Sequence, residues 1–434
     1  MAGRTRLIAV ILVTWLIVAA FAPIVSAAPR ADSAILFIGD GMGPNHPVMA
    51  SGAIGRPLVM QRAPFSGTVI TTSLGGSVTD SAAASTAMAT GHKTRNGTIS
   101  MSPEGRPFET VLELCRKHGK PVGLATTDSL WGATPAGFYA HAVNRGESEN
   151  IASQLVKSQA TVMLGFGRSA FLPEAAGGRR KDGQDLVAVL RNDGCEIVSN
   201  RYELLTAQGQ RLVGLFDGGP QAPRVRDMVT AALARVSSNP NGFFLVVEHS
   251  RMDGEPGDPA GNLADLLQLD EAVAAAVDFA NARGRTLVLV TGDHETGGLQ
   301  IEQPERLPML TKANGSAREI AAALNADRSN IAEVIAKFTG ITDLSAAELD
   351  QLKQAQDARI AIGDVLSARA GVKWVGRGHT GTPVAVFAFG AGAERFVGQI
   401  DNTDIAKGIV AALGIGPFSE SASVGAAAVA GTSK

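Results

Sequence analysis

The segment Val288-Leu-Val-Thr-Gly-Asp293-His294 is an apolar run that ends in two ionisable residues. Two other segments have the same form, since Leu36-Phe-Ile-Gly precedes Asp40 and Phe244-Leu-Val-Val precedes Glu248. Charged groups at the ends of buried strands are costly unless they are paired or bound to cations. In open sheets of parallel strands, ligands gather where the strands end and the loops begin. The recurrence therefore predicts strands that bring a functional site together at one edge of a sheet.

Strand-like runs alternate with helical patterns along most of the chain. The predicted strands cover 34–38, 68–72, 122–126, 160–164, 243–247, 286–291 and 384–389, and the predicted helices include 183–191, 224–237, 262–282 and 403–411. This alternation predicts an α/β fold with a mostly parallel central sheet and helices on both faces. Residues 302–370 interrupt the strand rhythm with helical stretches, which indicates a helical insertion late in a single domain of residues 28–416.

The two ends of the chain have distinct compositions. Residues 1–27 combine basic residues, an apolar run over 7–25 and the sequence Val25-Ser-Ala27. This pattern predicts a signal peptide cleaved after Ala27 and export to a periplasmic or extracellular location. An uncleaved anchor is the alternative, because the apolar run is longer than most signal cores; no later segment is expected to span a membrane. Residues 417–434 are rich in Ser, Gly and Ala, which predicts a disordered tail.

The overall composition narrows the classes of partner. The chain has 434 residues, 45% hydrophobic content and a formal net charge of -2, which allows a large buried core. No nucleic-acid partner is expected, because a pI near 6.4 gives no field that steers polyanions. The two cysteines are Cys115 and Cys195. Export permits a disulfide between them without requiring one.

A serine enclosed by small residues stands out in Thr79-Asp80-Ser81-Ala82-Ala83-Ala84-Ser85. Alanines favour a helix here and Gly91 predicts its end, so Ser81 falls in or near the first turn. The unpaired N–H groups of that turn favour an anion, which makes Ser81 a candidate nucleophile. It has no Gly-x-Ser-x-Gly surroundings and needs a base or a metal for activation. The alternative is an ordinary capping serine before an alanine-rich packing helix.

Several acidic and histidine residues have the chemistry of metal ligands. They form four patches: Asp40, Glu248 with Asp253, Asp293 with His294, and His379. Mixed aspartate and histidine ligands suit zinc, while carboxylate and hydroxyl oxygens suit magnesium. Taken singly, each residue has a simpler explanation, such as a loop histidine bonded to the backbone or a glutamate paired with an arginine.

Read together and in order, these patches resemble the alkaline phosphatase family over nearly the whole mature chain. The matching motifs are Ile38-Gly-Asp-Gly-Met-Gly43, Val78-Thr-Asp-Ser-Ala-Ala83, Thr90-Gly-His-Lys-Thr-Arg-Asn-Gly97, Ala133-Thr-Pro-Ala-Gly137, Tyr139-Ala-His-Ala-Val-Asn-Arg145, Phe243-Phe-Leu-Val-Val-Glu248, Thr291-Gly-Asp-His-Glu-Thr-Gly-Gly298 and Gly378-His-Thr-Gly-Thr-Pro-Val384. Eight motifs in sequence are highly specific.

The resemblance implies hydrolysis of phosphate monoesters through a phosphoserine intermediate, with two zinc ions and a magnesium ion. Ser81 would be the nucleophile, and Arg145 would clamp two phosphate oxygens with its planar guanidinium. The implied metal ligands are Asp40, Ser81, Asp293 and His294 for the second zinc, Asp253 and His379 for the first zinc, and Asp40, Thr134 and Glu248 for the magnesium. The resemblance also implies a homodimer.

One departure from the family pattern concerns the first zinc. Gly257 stands where the family carries a histidine ligand, four residues after the position of Asp253. Glu255 or Asp258 would replace that ligand after a shift of the loop and make the site richer in oxygen. His249 is a weaker substitute, because it follows a different direction of the backbone.

The second departure concerns the magnesium. Gly132 stands two residues before Thr134, where the family carries an aspartate or a histidine near the third metal. We expect this change to weaken magnesium binding or to change the third metal, while the zinc beside the nucleophile is retained.

The sequence thus supports one main function and two alternatives. The main one is an exported, metal-dependent phosphomonoesterase that acts on a small phosphorylated substrate. A phosphodiesterase-like enzyme or a variant with altered metals is the first alternative, because the site at Gly257 handles the leaving group. A non-catalytic exported protein that binds phosphate or a metal is the second.

Overall fold

The computed structural model describes residues 30–418, which form a sheet of ten strands with helices packed around it. The described strands are β1 (Ser33–Gly39), β2 (Phe65–Ile70), β3 (Val122–Ser129), β4 (Val162–Phe166), β5 (Glu196–Val198), β6 (Leu212–Leu215), β7 (Phe244–His249), β8 (Thr286–Gly292), β9 (Glu295–Thr296), β10 (Leu299–Ile301), β11 (Val372–Trp374), β12 (His379–Thr380), β13 (Val384–Gly390) and β14 (Gly398–Asp401). β10 pairs with β11 and β12 pairs with β9 in two small sheets, and the other ten strands form the large sheet. The order across the large sheet is β14-β2-β13-β8-β1-β7-β3-β4-β6-β5. Only β13 within this sheet is antiparallel to its neighbours.

The helices lie between and around the strands. They are α1 (Asn45–Ile54), α2 (Ser81–Thr90), α3 (Val111–Lys117), α4 (Ala133–Ala136), α5 (Ser148–Lys157), α6 (Leu186–Asn192), α7 (Arg201–Thr206), α8 (Val225–Val236), α9 (Arg251–Gly254), α10 (Pro259–Arg283), α11 (Ala317–Ala322), α12 (Ile331–Thr339), α13 (Ala346–Gln354), α14 (Ala358–Ala370) and α15 (Thr403–Leu413). Short 3₁₀ helices cover Met60–Arg62, Arg168–Phe171, Glu174–Ala176, Pro304–Lys312 and Ala393–Arg395.

The central strand β1 shows why helices cover both faces of the sheet. All seven of its residues are buried. Leu36 and Ile38 pack into one hydrophobic cluster, while Ile35 and Phe37 pack into another. Successive side chains of a strand point to opposite faces, so a strand that is apolar at every position needs cover on both. The predicted α/β class and mostly parallel sheet are confirmed.

The region 302–370 is helical, as its sequence pattern predicts. α11, α12, α13 and α14 share a separate hydrophobic cluster that includes Ile320, Ile335, Leu352 and Ile362. Ala260 from the start of α10 joins the same cluster. The insertion therefore packs directly against the beginning of the long helix that follows the loop at 255–258.

Several sequence predictions fall at the edges of the described region. The signal peptide at 1–27 and nearly all of the predicted tail at 417–434 lie outside residues 30–418. Among the described helices, none combines the length and the apolar content needed to cross a membrane. Cys115 and Cys195 are both buried and both free, so they do not form a disulfide with each other. Burial raises the pKa of the Cys115 thiol to about 12.

Candidate active site

Three neighbouring strands deliver ionisable residues to one edge of the sheet. β1 lies between β7 and β8 and is parallel to both. The last residue of β1 pairs with the last residue of each neighbour, so the three carboxyl ends coincide. Asp40 and Asp293 follow β1 and β8 directly, and Glu248 lies one residue before the end of β7. The repeated apolar runs predict a functional site where strands end, and the carboxyl ends of three adjacent strands do meet there.

The serine of the small-residue segment is the first residue of α2. Asp80 caps this helix, because its Oδ1 accepts a hydrogen bond of 2.9 Å from the N–H of Ala83. Its second oxygen, Oδ2, accepts one of 2.9 Å from the N–H of Gly97. All ten residues of α2 are buried, and Ser81 is only 3% exposed. Asp80, and not Ser81, therefore caps the helix, so the alternative role of Ser81 as a capping serine does not apply. The Ser81 hydroxyl is available for the site.

The Ser81 hydroxyl meets a histidine that two carboxylates share. Ser81 Oγ lies 3.3 Å from Nε2 of His294. The same nitrogen lies 3.4 Å from Oδ1 of Asp40 and 3.3 Å from Oδ2 of Asp293. Both of these carboxylate oxygens are buried and have no hydrogen-bond partner within the part of the chain that the structure describes. Oxygen and nitrogen donors grouped in this way fit a divalent cation.

Backbone contacts fix the orientation of Asp293 in this group. Its Oδ1 accepts hydrogen bonds from the N–H of Gly41, at 3.1 Å, and from the N–H of His294, at 2.9 Å. Gly41 has a φ of 77°, a left-handed conformation that glycine adopts without strain. With Oδ1 occupied, Oδ2 is left to face the histidine nitrogen. Burial, followed by the charge of Asp293, raises the pKa of Asp40 well above its usual value. A bound cation would favour the charged carboxylate and oppose this rise.

A second donor group lies beside the first. Nε2 of His379 is 3.2 Å from Oδ1 of Asp253, and its Nδ1 is 2.9 Å from the carbonyl oxygen of Thr79. The rings of His379 and His294 stack with centroids 3.6 Å apart. The hydrogen bond to Asp253 raises the pKa of His379 to about 9. Asp253, His294 and His379 form a set of donors close enough to hold one ion.

A third group consists of oxygens alone. The Glu248 carboxylate is 2% exposed and accepts a short hydrogen bond from the Thr126 hydroxyl. The Thr134 hydroxyl, at the start of α4, is also 2% exposed and has no hydrogen-bond partner among the described residues. Burial, followed by the charge of Asp128, raises the pKa of Glu248 to about 8. Carboxylate and hydroxyl oxygens of this kind are typical magnesium ligands.

Arg145 pairs with the residue that caps the Ser81 helix. Its guanidinium pairs with Oδ2 of Asp80 at 3.0 Å, and its side chain is 41% exposed. Its backbone N–H donates a hydrogen bond of 2.7 Å to the carbonyl oxygen of Gly97. The arginine is thus attached to the same residue that caps the helix of Ser81, with most of its donors free to meet a ligand.

The structure does not bring the alternative first-zinc ligands Glu255 and Asp258 into the site. Glu255 pairs with Arg318 at 2.8 Å. Asp258 caps α10 through Gly261, with a distance of 3.0 Å, and its other oxygen accepts a hydrogen bond of 2.6 Å from the N–H of Ala317. Both carboxylates therefore serve the helical insertion, and the expected shift of the loop toward the metal group does not occur.

His249 and Gly257 do not supply the absent ligand either. The His249 ring faces the Thr127 hydroxyl at 3.3 Å and Asp265 at 3.6 Å, and it belongs to neither cluster of metal-type donors among the described residues. Gly257 has a φ of 89°, and a Cβ built on it would lie 2.4 Å from Nη1 of Arg377. The loop has thus been rebuilt around a glycine that packs against an arginine.

Sequence reasoning missed two polar residues of the site. Thr296 donates a hydrogen bond of 2.6 Å to Asp253 and lies 3.2 Å from Nδ1 of His294, so it joins the two donor groups. It belongs to the Asp-His-Glu-Thr motif and could have been found there. Asp128 lies beside Gly132 and follows the predicted strand 122–126, as Asp40 follows its own strand. The same strand-end signal marks it.

Comparison with known proteins agrees with this geometry. The alkaline phosphatase family model matches residues 31–415. The chain is 33% identical over 365 residues to alkaline phosphatase 3 of Bacillus subtilis, and this alignment covers 77% of each of the two chains. It is 30% identical over 452 residues to streptomycin-6-phosphate phosphatase of Streptomyces griseus, with 89% of this chain and 91% of the relative covered.

A solved structure gives the same relation. The alkaline phosphatase of Thermus thermophilus superposes with a TM-score of 0.80 at 28% identity and covers 89% of this chain and 92% of its own. This chain therefore belongs to the alkaline phosphatase family of phosphoric monoester hydrolases.

Proposed function

We propose that the protein hydrolyses phosphate monoesters through a phosphoserine intermediate on Ser81, at a site for two zinc ions and one magnesium ion. The position of Ser81 Oγ, 3.3 Å from Nε2 of His294, carries this proposal. The same nitrogen faces carboxylate oxygens of Asp40 and Asp293 that have no hydrogen-bond partner in residues 30–418. A hydroxyl in such a donor set is activated by a cation and needs no separate base.

The donor groups divide among three cations. The proposed ligands are Ser81, Asp40, Asp293 and His294 for one zinc, Asp253 and His379 for the other zinc, and Asp40, Thr134 and Glu248 for the magnesium. When bound, these cations lower the pKa of the attacking hydroxyl and stabilise the oxygen of the leaving group. Asp40 is shared, because its carboxylate lies between the charges of Asp293 and Glu248.

The chain itself supplies the nucleophile and the phosphate contacts. The Ser81 hydroxyl releases its proton to solvent, and its Oγ forms a bond to phosphorus while the bond from phosphorus to the ester oxygen breaks; the ester oxygen takes a proton from solvent and leaves as the alcohol. A water molecule then attacks the phosphoserine and releases a proton, the bond from phosphorus to Oγ breaks, Oγ takes up a proton from solvent, and inorganic phosphate leaves. The free N–H groups in the first turn of α2 face the phosphoryl oxygens throughout.

Arg145 binds the phosphoryl group from the open side. Its guanidinium has only one described side-chain partner, Asp80, at 3.0 Å. The planar fork of an arginine suits two oxygens of a phosphate at once. Arg145 therefore holds the phosphoryl group in line with Ser81 while the Asp80 contact keeps the guanidinium directed toward the helix terminus.

Hydrolysis of an aryl phosphate by the purified full chain tests this function. We expect turnover at alkaline pH, its loss after treatment with a chelator, and its recovery when zinc and magnesium are returned together. A chain that contains both metals and binds inorganic phosphate without turnover would instead support the non-catalytic alternative.

A second candidate, hydrolysis of phosphodiesters, is supported by the first zinc group. With Gly257 in the family's histidine position, only Asp253 and His379 are dedicated to that ion, since His294 also belongs to the other group. Fewer protein ligands leave more coordination positions open to a leaving group or a second ester oxygen. Parallel rates with an aryl monoester and the matching diester separate the two functions. Export and a homodimer stay predictions.

A further inference from the structure

The position where the family carries its magnesium-side residue has no side chain in this protein. Gly132 precedes α4 and stands two residues before Thr134. A Cβ built on Gly132 would lie 2.7 Å from Oδ2 of Asp128 and 2.9 Å from the carbonyl oxygen of Ser129. In an aspartate, the carboxylate oxygens themselves stand about 2.4 Å from Cβ. The Asp128 oxygen therefore lies at nearly the distance from this Cβ at which an aspartate at 132 would hold its own oxygens.

The backbone explains how Asp128 reaches that space. β3 pairs regularly with β4 through Ala125, and the pairing resumes only at Ser129. Within this irregular stretch the Thr126 hydroxyl accepts a hydrogen bond of 2.8 Å from the N–H of Asp128 and donates to the Glu248 carboxylate. A single hydroxyl thus ties the backbone of Asp128 to the carboxylate of Glu248. Irregular pairing of this kind redirects a side chain at a strand end.

The surroundings of Asp128 point to a cation. Its side chain is exposed, and the Thr126 hydroxyl links its backbone to the Glu248 carboxylate. Burial raises the pKa of Glu248, and the nearby Thr134 hydroxyl opposes that rise. The Thr134 hydroxyl is 2% exposed and lies within regular hydrogen-bond geometry of no described residue. A buried hydroxyl without a partner beside two carboxylates fits an oxygen-ligated ion.

We propose that Asp128 supplies the carboxylate ligand of the third cation in place of the side chain that Gly132 lacks. With Glu248 and Thr134 it forms a set of oxygens suited to magnesium. This inference rests on the proposed function and replaces the sequence-based expectation that Gly132 weakens the magnesium site. The carboxylate is retained and comes from the end of β3 instead of the start of α4.

Magnesium binding to the purified full chain tests the proposal directly. Titration calorimetry with Mg2+ after removal of bound metals, with metal content measured by mass spectrometry, should show that Asp128→Asn lowers magnesium affinity on the order of 10- to 100-fold. Asp270→Asn is the matched control. Asp270 is a buried aspartate whose two oxygens accept hydrogen bonds from the N–H groups of Val59 and Met60, so the magnesium affinity of this variant should match that of the parent.

A relocation of the carboxylate separates a ligand role from a folding role. Asp128→Ala should lose magnesium binding, and the double variant Asp128→Ala with Gly132→Asp should recover it, because Asp128 no longer fills the space beside residue 132. The melting temperature of each variant in chelator reports its folding independently of magnesium. The rise in melting temperature on adding Mg2+ should be largest in the variants that bind magnesium most tightly.

Two results would overturn the proposal: no magnesium binding by the parent chain, or equal affinity in Asp128→Asn. The aryl phosphate assay separates either of these results from a failure of the proposed function, because it measures turnover and not magnesium binding. A parent that hydrolyses the ester while Asp128→Asn binds magnesium normally leaves the function intact. A parent that binds magnesium through Asp128 without turnover leaves the site intact and removes the function.

Discussion

Ser81 Oγ and His294 Nε2 lie 3.3 Å apart, and the carboxylates of the site face that same histidine nitrogen. In a serine–histidine–aspartate triad the acid faces the opposite ring nitrogen and orients the base. Here the opposite nitrogen, Nδ1, lies 3.2 Å from the hydroxyl of Thr296. The serine and the two carboxylates therefore all meet the same nitrogen of His294, an arrangement that favours the proposed metal site over a proton relay.

Replacement of the serine tests its role as the nucleophile. Ser81→Ala should lower kcat for an aryl phosphate by roughly 10³-fold or more, because the covalent step is lost. It should also abolish the acid-stable phosphoprotein that labelled phosphate forms with the parent. Ser85→Ala is the control one turn along α2, where the hydroxyl donates only to the carbonyl oxygens of Ala82 and Ala133. Normal turnover in Ser81→Ala would rule out the covalent route.

Arg145 should act on phosphate affinity and leave the fold unaffected. Its ion pair with Asp80 is largely exposed and contributes little to stability. Arg145→Lys keeps the charge and loses the planar fork, so we expect kcat/KM to fall roughly 10²-fold and inhibition by inorganic phosphate to weaken. Arg95→Ala, a nearby exposed arginine, should change neither quantity. Equal inhibition constants in parent and Arg145→Lys would contradict the clamp.

Restoring the family's histidine at position 257 should fail. Gly257 has a left-handed backbone, and a side chain there meets Arg377. Gly257→His should therefore destabilise the protein by about 1–3 kcal/mol and add no zinc per chain. Gly254→His introduces the same side chain at a glycine with open space around it, and its stability should stay within about 0.5 kcal/mol of the parent. An extra equivalent of zinc with an unchanged melting temperature in Gly257→His would show that the loop accepts the ligand.

The buried carboxylate of Asp258 should make stability depend on pH. Burial, only partly offset by hydrogen bonds from Gly261 and Ala317, raises its pKa to about 6. The unfolded chain releases this proton near pH 4, so folding is favoured below pH 4 and the contribution is lost as pH rises to 6. Asp258→Asn stays neutral, so the stability advantage of the parent over Asp258→Asn should shrink by about 2 kcal/mol between pH 4.5 and pH 8.

Urea unfolding of both proteins at the two pH values measures that difference. Metal content should be equal in parent and Asp258→Asn, because the Asp258 oxygens bind backbone N–H groups and not the site. A constant stability difference across the pH range would show that the carboxylate is not buried in the folded chain.

The apolar runs of the sequence predict the central sheet well, for a physical reason. Strands such as β1 and β8 are buried on both faces and therefore read as unbroken runs of Ile, Leu, Val and Phe. Short strands at the edge, such as β5 and β14, have partly exposed residues and carry no such signal. The sequence also could not predict that β13 is antiparallel to its neighbours, because a buried apolar strand has the same composition in either direction.

The site could be predicted where motifs and strand ends coincide, and less well where the chain departs from the family. At Gly257 the nearest carboxylates were expected to move in, but Glu255 and Asp258 already serve the insertion through Arg318 and Ala317. At Gly132 the loss of a side chain was read as the loss of a ligand. A comparison position by position does not reveal that Asp128, four residues earlier, brings an oxygen to within 2.7 Å of a Cβ built on Gly132, because this approach exists only once the end of β3 has folded.

The order β8-β1-β7-β3 places the tips of four adjacent strands along one line. Neighbouring strands are separated by about 4.8 Å whatever side chains they carry. The spacing between the strand ends is therefore a property of backbone pairing. A mutation can remove a functional side chain from a strand end, or a nearby residue can supply it instead, without changing that spacing. Proteins that share this sheet can therefore differ in the side chains at the ends of the four strands while the distances between those strand ends stay constant.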